Sequence, residues 1–301
     1  MNDRLRFAAF SGGLVVLFGA ALGLGALVGD PAGPASGPGT SQHNGMSETM
    51  SNGLHDTLAG YTLTEVNAPT TPHTPGPLRF RITGPDGAPV TAYTDLHDKD
   101  LHLIAVRSDA TEYRHAHPVR DDNGTWSIDW TWARPGSYRI FADSRPAGAP
   151  EELVLSRIVT VTGESDDRPL PPVARTTTVD GYQVRLEGDL STGGSELGFT
   201  VTRDGRPVTD LQPYLGAYGH LVALRGNDLS YLHVHPEGEV GSSPAGPRVA
   251  FHAQAPSTGA YRLYLDFAHA GVVHTAEFTA VAADGGEPAG HQHEQHEGGH
   301  Q

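Results

Sequence analysis

At 301 residues, with a net charge of −15 and no cysteine, the chain is long enough for two domains. It repels phosphate backbones and lacks disulfides, thiolate ligands and a cysteine nucleophile. Nucleic acid is thereby set aside as a partner, and dissolved cations are favoured.

The 38 glycines and 23 prolines punctuate short segments, which favours an all-β chain of strands and turns. In chain order, Arg4 and Arg6 precede an uninterrupted apolar and small-residue run over residues 7–29. A bilayer crossing takes about 20 helical residues, and the basic flank stays cytoplasmic. The expectation is a single-pass anchor with residues 1–6 inside and the rest outside. The alternative is a cleaved signal sequence with secretion, for which only weak cleavage sites stand near Ala35. Residues 30–58, rich in Gly, Pro, Ser and Thr, read as a flexible tether. Its His43, Met46, Met50 and His55 would suit Cu(I) only if ordered.

Two folded units follow, at 59–162 and 173–283, with a Pro-rich acidic linker at 163–172 and a tail at 284–301. The units are repeats. Residues 102–118 (HLIAVRSDATEYRHAHP) align without a gap on 220–236 (HLVALRGNDLSYLHVHP), and 136–143 (GSYRIFAD) on 259–266 (GAYRLYLD). Strands are expected near 61–66, 77–83, 101–107, 112–117, 125–131, 137–143 and 152–161, with equivalents in the second unit. Seven strands in about 100 residues is the immunoglobulin-like sandwich pattern, and Tyr138 and Tyr261 sit where such sandwiches carry a tyrosine corner.

The chemistry lies in one hairpin per unit. If Arg107 pairs with Glu112 across the loop Ser108 to Thr111, then Ile104 faces His115 and His102 faces His117. Paired residues share a face, as do residues two apart on one strand, so the three histidines converge. The same construction pairs His220 with His235 and Val222 with His233. Opposed Cβ atoms about 5 Å apart allow imidazole nitrogens to reach one ion. Three neutral imidazoles suit Zn(II) or Cu(II). Asp143 and Asp266, closing the sixth strands, are expected beside His102 and His220 as fourth ligands or as groups orienting an imidazole. The face also carries Ile104, Val106 and Tyr113, so it is expected to look into the sandwich core with the histidines at its rim.

The bland alternative is that HxHP is a polar strand end before a proline turn. His97, His252, His269 and His274 lack counterparts in the other unit and read as structural or exposed. The tail histidines His291, His293, His296 and His300 form a composition that binds divalent ions weakly.

The HLI/HLV strand, the HxHP strand end and the Gly-x-Tyr-Arg strand ending in Asp resemble bacterial exported heavy-metal domains of the YtkA-like and copper-resistance periplasmic kind. That resemblance implies an immunoglobulin-like sandwich outside the cytoplasm and a role in copper handling. The expected function is metal buffering, delivery or resistance with one Cu(II) or Zn(II) site per repeat. The competing expectation is a cell-surface interaction module whose histidines are structural. No acid/base motif recurs with the triads, so catalysis is not expected.

Overall fold

The computed structural model describes residues 52–232, 234–238 and 240–285. The anchor or signal segment, most of the tether, the tail histidines and His233 lie outside the described residues. Among the described residues no helix is long and apolar enough to cross a membrane.

The first repeat comprises β1 (Thr57–Leu58), β2 (Tyr61–Asn67), β3 (Gly76–Thr83), β4 (Tyr93–Thr94), β5 (Leu101–Arg107), β6 (Arg114–Ala116), β7 (Val119–Arg120), β8 (Thr125–Trp130), β9 (Gly136–Pro146) and β10 (Leu153–Val161). The second comprises β11 (Thr176–Val179), β12 (Tyr182–Glu187), β13 (Ser195–Arg203), β14 (Arg206–Pro207), β15 (His220–Arg225), β16 (Tyr231–Leu232), β17 (Val234–Glu237), β18 (Arg248–Ala253), β19 (Gly259–His269) and β20 (Val272–Ala282). In each repeat two antiparallel sheets stack. The orders are β1-β2-β3-β8-β7 against β10-β9-β5-β6, and β11-β12-β13-β18-β17 against β16-β15-β19-β20. These are tandem immunoglobulin-like sandwiches. Tyr138 Oη donates to Arg134 O at 2.9 Å and Tyr261 Oη to Ser257 O at 2.9 Å, closing a tyrosine corner in each.

Period-two patterning explains the outer sheets. β2 (YTLTEVN) buries Tyr61 and Leu63 and turns its alternate residues outward. β5 (LHLIAVR) is buried at every position, so both of its faces are covered. Leu101, Leu103 and Ala105 enter the first sandwich core, with Trp126, Trp130 and Tyr138. The opposite face sends Ile104 and Val106 into a separate cluster with Phe141, Val154, Val222, Leu224, Leu229, Tyr231 and Tyr264. That cluster draws on both repeats, whose β5 and β15 sheets pack face to face. The expected placement of the histidine face against the sandwich core is therefore corrected: it faces the other repeat. The cause is the apolar run Leu103–Val106, which puts apolar side chains on both faces of the strand.

Two connecting segments are also tied to the folded units by specific bonds. Residues 52–58, expected in the tether, are fixed by backbone bonds. Tyr231 N–H donates to Asn52 O at 2.7 Å and Ser156 N–H to His55 O at 2.8 Å, and β1 extends the β2 edge. The linker 163–172 is held by the fully buried Arg107. Its guanidinium donates to Asp109 (2.5 Å), Ser165 (2.7 Å) and Asp167 (3.1 Å), and Arg168 N–H donates to Asp109 at 3.0 Å. A buried guanidinium that must satisfy its donors pins the acidic stretch running past it.

Candidate metal centre

The hairpin of repeat one has the register read from the sequence: Leu103 pairs with Ala116, Ile104 with His115 and Ala105 with Arg114. Ala110 and Glu112 adopt positive φ in the loop, and the Arg107 N–H closes it on Thr111 O at 2.9 Å. His117 follows the last ladder pair. His102 Nδ1 lies 2.9 Å from His115 Nε2 and 3.2 Å from His117 Nε2. His102, His115 and His117 thus offer one nitrogen each to a common point and form a group that can hold a metal ion.

The other nitrogen of two of these rings fixes its tautomer. His102 Nε2 stands 2.9 Å from Leu96 O, a pure acceptor, so it carries the proton and leaves Nδ1 with a lone pair. His115 Nδ1 stands 2.9 Å from Asp266 Oδ2, so it too is the protonated nitrogen, and Nε2 is the free donor. With both rings neutral in these tautomers, the two facing nitrogens each present a lone pair at hydrogen-bond distance. Burial, then the neighbouring His115, lowers the pKa of His102 to about 3. Burial, again followed by His115, lowers that of His117 to about 4.

Asp266 comes from repeat two. Its Oδ2 also receives Tyr113 Oη at 3.4 Å, and its Oδ1 receives Thr275 Oγ1 at 2.6 Å. Within each repeat the aspartate pairs in register with the first histidine, Asp143 with His102 and Asp266 with His220, as the strand order suggested. Their side-chain bonds cross between repeats instead: Tyr231 Oη reaches Asp143 Oδ2 at 3.1 Å, mirroring Tyr113 on Asp266. Asp266 therefore orients an imidazole of the other repeat. Asp143 has no bond to the triad; burial and the nearby Glu152 raise its pKa well above the usual carboxylate range.

Of the second expected triad, only His220 and His235 fall among the described residues. β15 pairs with β16 in the anticipated register, Ala223 with Leu232 and Leu224 with Tyr231. The chain then leaves that sheet: β17 joins β18, with Val234 opposite Ala253 and His235 opposite His252. His235 is exposed on the outer sheet while His220 is buried, so these two do not pair. A register argument holds only while the ladder lasts, and here Leu232 pairs with β15 whereas Val234 already pairs with β18.

His220 Nε2 faces Tyr214 O at 2.9 Å and Leu215 O at 3.1 Å, the counterpart of the His102–Leu96 bond. Burial, with His115 next, lowers the His220 pKa to about 4. His97, in a left-handed conformation at φ 49°, places its ring 5.1 Å from His220 and 6.2 Å from His102. It borders a cavity of about 70 Å³ beside the triad, also lined by Asp143, Glu152 and Tyr231. Of the remaining unmatched histidines, His269 bonds Tyr182 Oη at 2.6 Å and His274 bonds Asp180 at 2.8 Å. The contribution of Asp266 to the first triad escaped sequence reasoning. Its signal was the apolar run of β5, which requires a second buried face and hence a second repeat against the hairpin.

Among solved structures, the chain is similar to InvD of Yersinia pseudotuberculosis at 12% identity and a TM-score of 0.24, covering 76% of this chain and 59% of that one. It is similar to a Salmonella alpha-2-macroglobulin variant at 13% identity and 0.25, covering 79% and 15%. It is also similar to invasin, a bacterial integrin-binding protein, at 12% identity and 0.21, covering 73% and 39%. The chain thus spans less than two thirds of each of these structures. No curated protein matches it. The resemblance to YtkA-like and copper-resistance domains finds no support in these matches. Residues 56–162 and 177–284 each match the model of the family described as Domain of unknown function (DUF8832), and the chain belongs to that family, carrying its domain twice in tandem.

Proposed function

We propose that this chain is an extracytoplasmic metal-binding protein that holds one Cu(II) or Zn(II) ion on His102, His115 and His117. The observation that carries the reading is the 2.9 Å approach of His102 Nδ1 to His115 Nε2 with both protons committed elsewhere. Two lone pairs aimed at each other in a buried setting repel, and a cation between them turns the repulsion into coordination. Imidazole nitrogens bind these ions at about 2.0–2.1 Å, so two of them on a tetrahedral ion stand about 3.3 Å apart, and the 2.9 and 3.2 Å nitrogen separations reach that spacing with a small widening. Carboxylate and carbonyl partners on the far nitrogens are the groups that usually orient metal-bound imidazoles.

The basic flank and apolar run at the N-terminus support placement outside the cytoplasm, tied to the membrane or released. The role is buffering or delivery, with no catalytic residues proposed. The two-ion stoichiometry expected from sequence becomes one, because His235 leaves the sheet that holds His220. The test is isothermal titration of the full chain, with His291, His293, His296 and His300 changed to alanine, using Zn(II) and Cu(II). One ion is expected, and its loss in His117→Ala. A full chain that binds neither ion ends this reading and leaves the cell-surface interaction module as the better one.

A further inference from the structure

We infer that the ion acts as a lock between the two repeats, with Asp266 of repeat two as the positioning residue for the ligand His115 of repeat one. This rests on the proposed metal reading and adds to it a coupling across the domain interface. The ligand strand β6 is held from the far side at three points. Asp266 Oδ2 accepts from His115 Nδ1 at 2.9 Å. Tyr113, two residues before that ligand, stacks flat on Tyr264 with centroids 4.0 Å apart and planes 6° apart. Tyr264 Oη donates to Ala110 O at 2.7 Å, tying down the hairpin loop. Asp266 and Tyr264 both belong to β19, which contributes no ligand.

The geometry is selective. Asp266 is 2% exposed, and Thr275 engages its second oxygen at 2.6 Å, so the carboxylate is fixed from both sides. A fixed acceptor at Nδ1 presents Nε2 unprotonated to the ion; without it, His115 is free to adopt the other tautomer and turn. By linkage, an ion that binds the oriented ring favours the docked repeats over any separated state. Asp143, the matching aspartate, is the strand partner of His102 and lines the same cavity, but its carboxylate accepts from Tyr231 and not from a triad imidazole, so it serves as the comparison for a nearby carboxylate that orients no ligand.

The experiment uses the full chain with alanines at the four tail histidines and Zn(II) as probe. Affinity is measured by titration for wild type, Asp266→Ala, Asp266→Asn and Asp143→Ala. Hydrogen exchange is followed with and without Zn(II). Loss of an orienting partner typically costs about 10–100-fold in metal affinity, so that loss is expected for Asp266→Ala. Asp266→Asn, which keeps an oxygen acceptor, should recover part of it, and Asp143→Ala should stay within about threefold of wild type. Zn(II) should slow exchange in β19 in wild type and not in Asp266→Ala. If Asp266→Ala does not fold, Asp266→Asn carries the comparison, with an affinity below wild type expected. If wild type binds Zn(II) but the folded Asp266 variants match its affinity, or protection stays within residues 101–117, the lock is overturned and the metal site survives. If wild type itself binds no Zn(II), the metal reading fails first.

Discussion

The same hairpin occurs twice in this chain, and the two copies diverge at one point. Up to the ladder pairs Ala105–Arg114 and Ala223–Leu232 they are equivalent, with His102 and His220 each bonded to the preceding loop's backbone. Beyond that, repeat one keeps His115 on β5 and brings His117 to His102, while repeat two hands its chain to β18 and leaves His235 exposed at the edge of the cavity that His102 and His220 also line. Duplication preserved the sequence pattern, but among the described residues the grouping of three histidine nitrogens is found on the strand of repeat one. A sequence repeat thus marks where a site is able to form, and the local choice of strand partner decides whether it does.

The sharpest way to break this comparison is to exchange the two strand ends. His117→Ala is expected to abolish tight Zn(II) binding, whereas His235→Ala should leave affinity and stoichiometry unchanged in titrations of the chain without tail histidines. Equal losses from both would mean that the repeats share the work and that the structural asymmetry has no functional meaning.

A second contrast concerns the interface that covers both hairpins. Tyr264 is fully buried and packs on Tyr113, and its hydroxyl holds Ala110 O. Truncating a large buried aromatic costs about 3–5 kcal/mol. Tyr264→Ala should therefore lower unfolding stability by that order in urea, and should weaken Zn(II) binding although Tyr264 is no ligand. Lost stability with intact affinity would separate the interface from the site.

Stability against pH compares His102 and His220, the matched pair that stays equivalent. Both are buried and their pKa values are lowered to about 3 and about 4, chiefly by burial. In the unfolded chain these groups titrate near 6.5. Between about pH 6.5 and pH 3–4 the unfolded state binds more protons, so metal-free stability is full above that window and falls as pH drops through it. Each contributes a slope of up to about 1.4 kcal/mol per pH unit. Urea denaturation of the metal-free chain from pH 8 to pH 4 measures the slope, and His220→Gln should flatten it. A profile unchanged by that substitution would show that His220 is solvated in the folded state.

Much of this was legible in the residues. The strands, the tandem sandwiches and the register of the first hairpin follow from period-two patterning, turn residues and the tyrosine positions, all of which are local signals. The approach of His102 to His115 follows from the same local register. What local reasoning could not reach depended on distant partners. The bond of His115 to Asp266 spans two domains, and the departure of His235 depends on β18, which competes for the strand. The contacts of the linker 163–172 rest on Arg107, far away in sequence, whose buried guanidinium donates to Ser165 and Asp167. The apolar run Leu103–Val106 within β5 was the available clue to the interface, because a strand covered on both faces needs a second layer.

The smallest expected effect tests where the two repeats should be alike. Tyr138 donates to Arg134 O and Tyr261 to Ser257 O, both at 2.9 Å and both from the residue that opens the inward run of β9 or β19. Each ring is buried, Tyr138 against Trp132 at 4.4 Å between centroids, so phenylalanine keeps the packing and removes only the hydroxyl. A hydrogen bond of this type contributes about 1 kcal/mol net, and somewhat more where the carbonyl is left dry. Tyr138→Phe and Tyr261→Phe should each lower the midpoint of urea unfolding by a similar small amount, with Zn(II) affinity unchanged in both. The corners sit at the opposite end of their strands from Asp143 and Asp266, so neither change reaches the carboxylates. A marked loss of Zn(II) affinity in Tyr138→Phe alone would mean that the corner of repeat one also sets the metal centre, and that the asymmetry between the repeats begins well before residue 233.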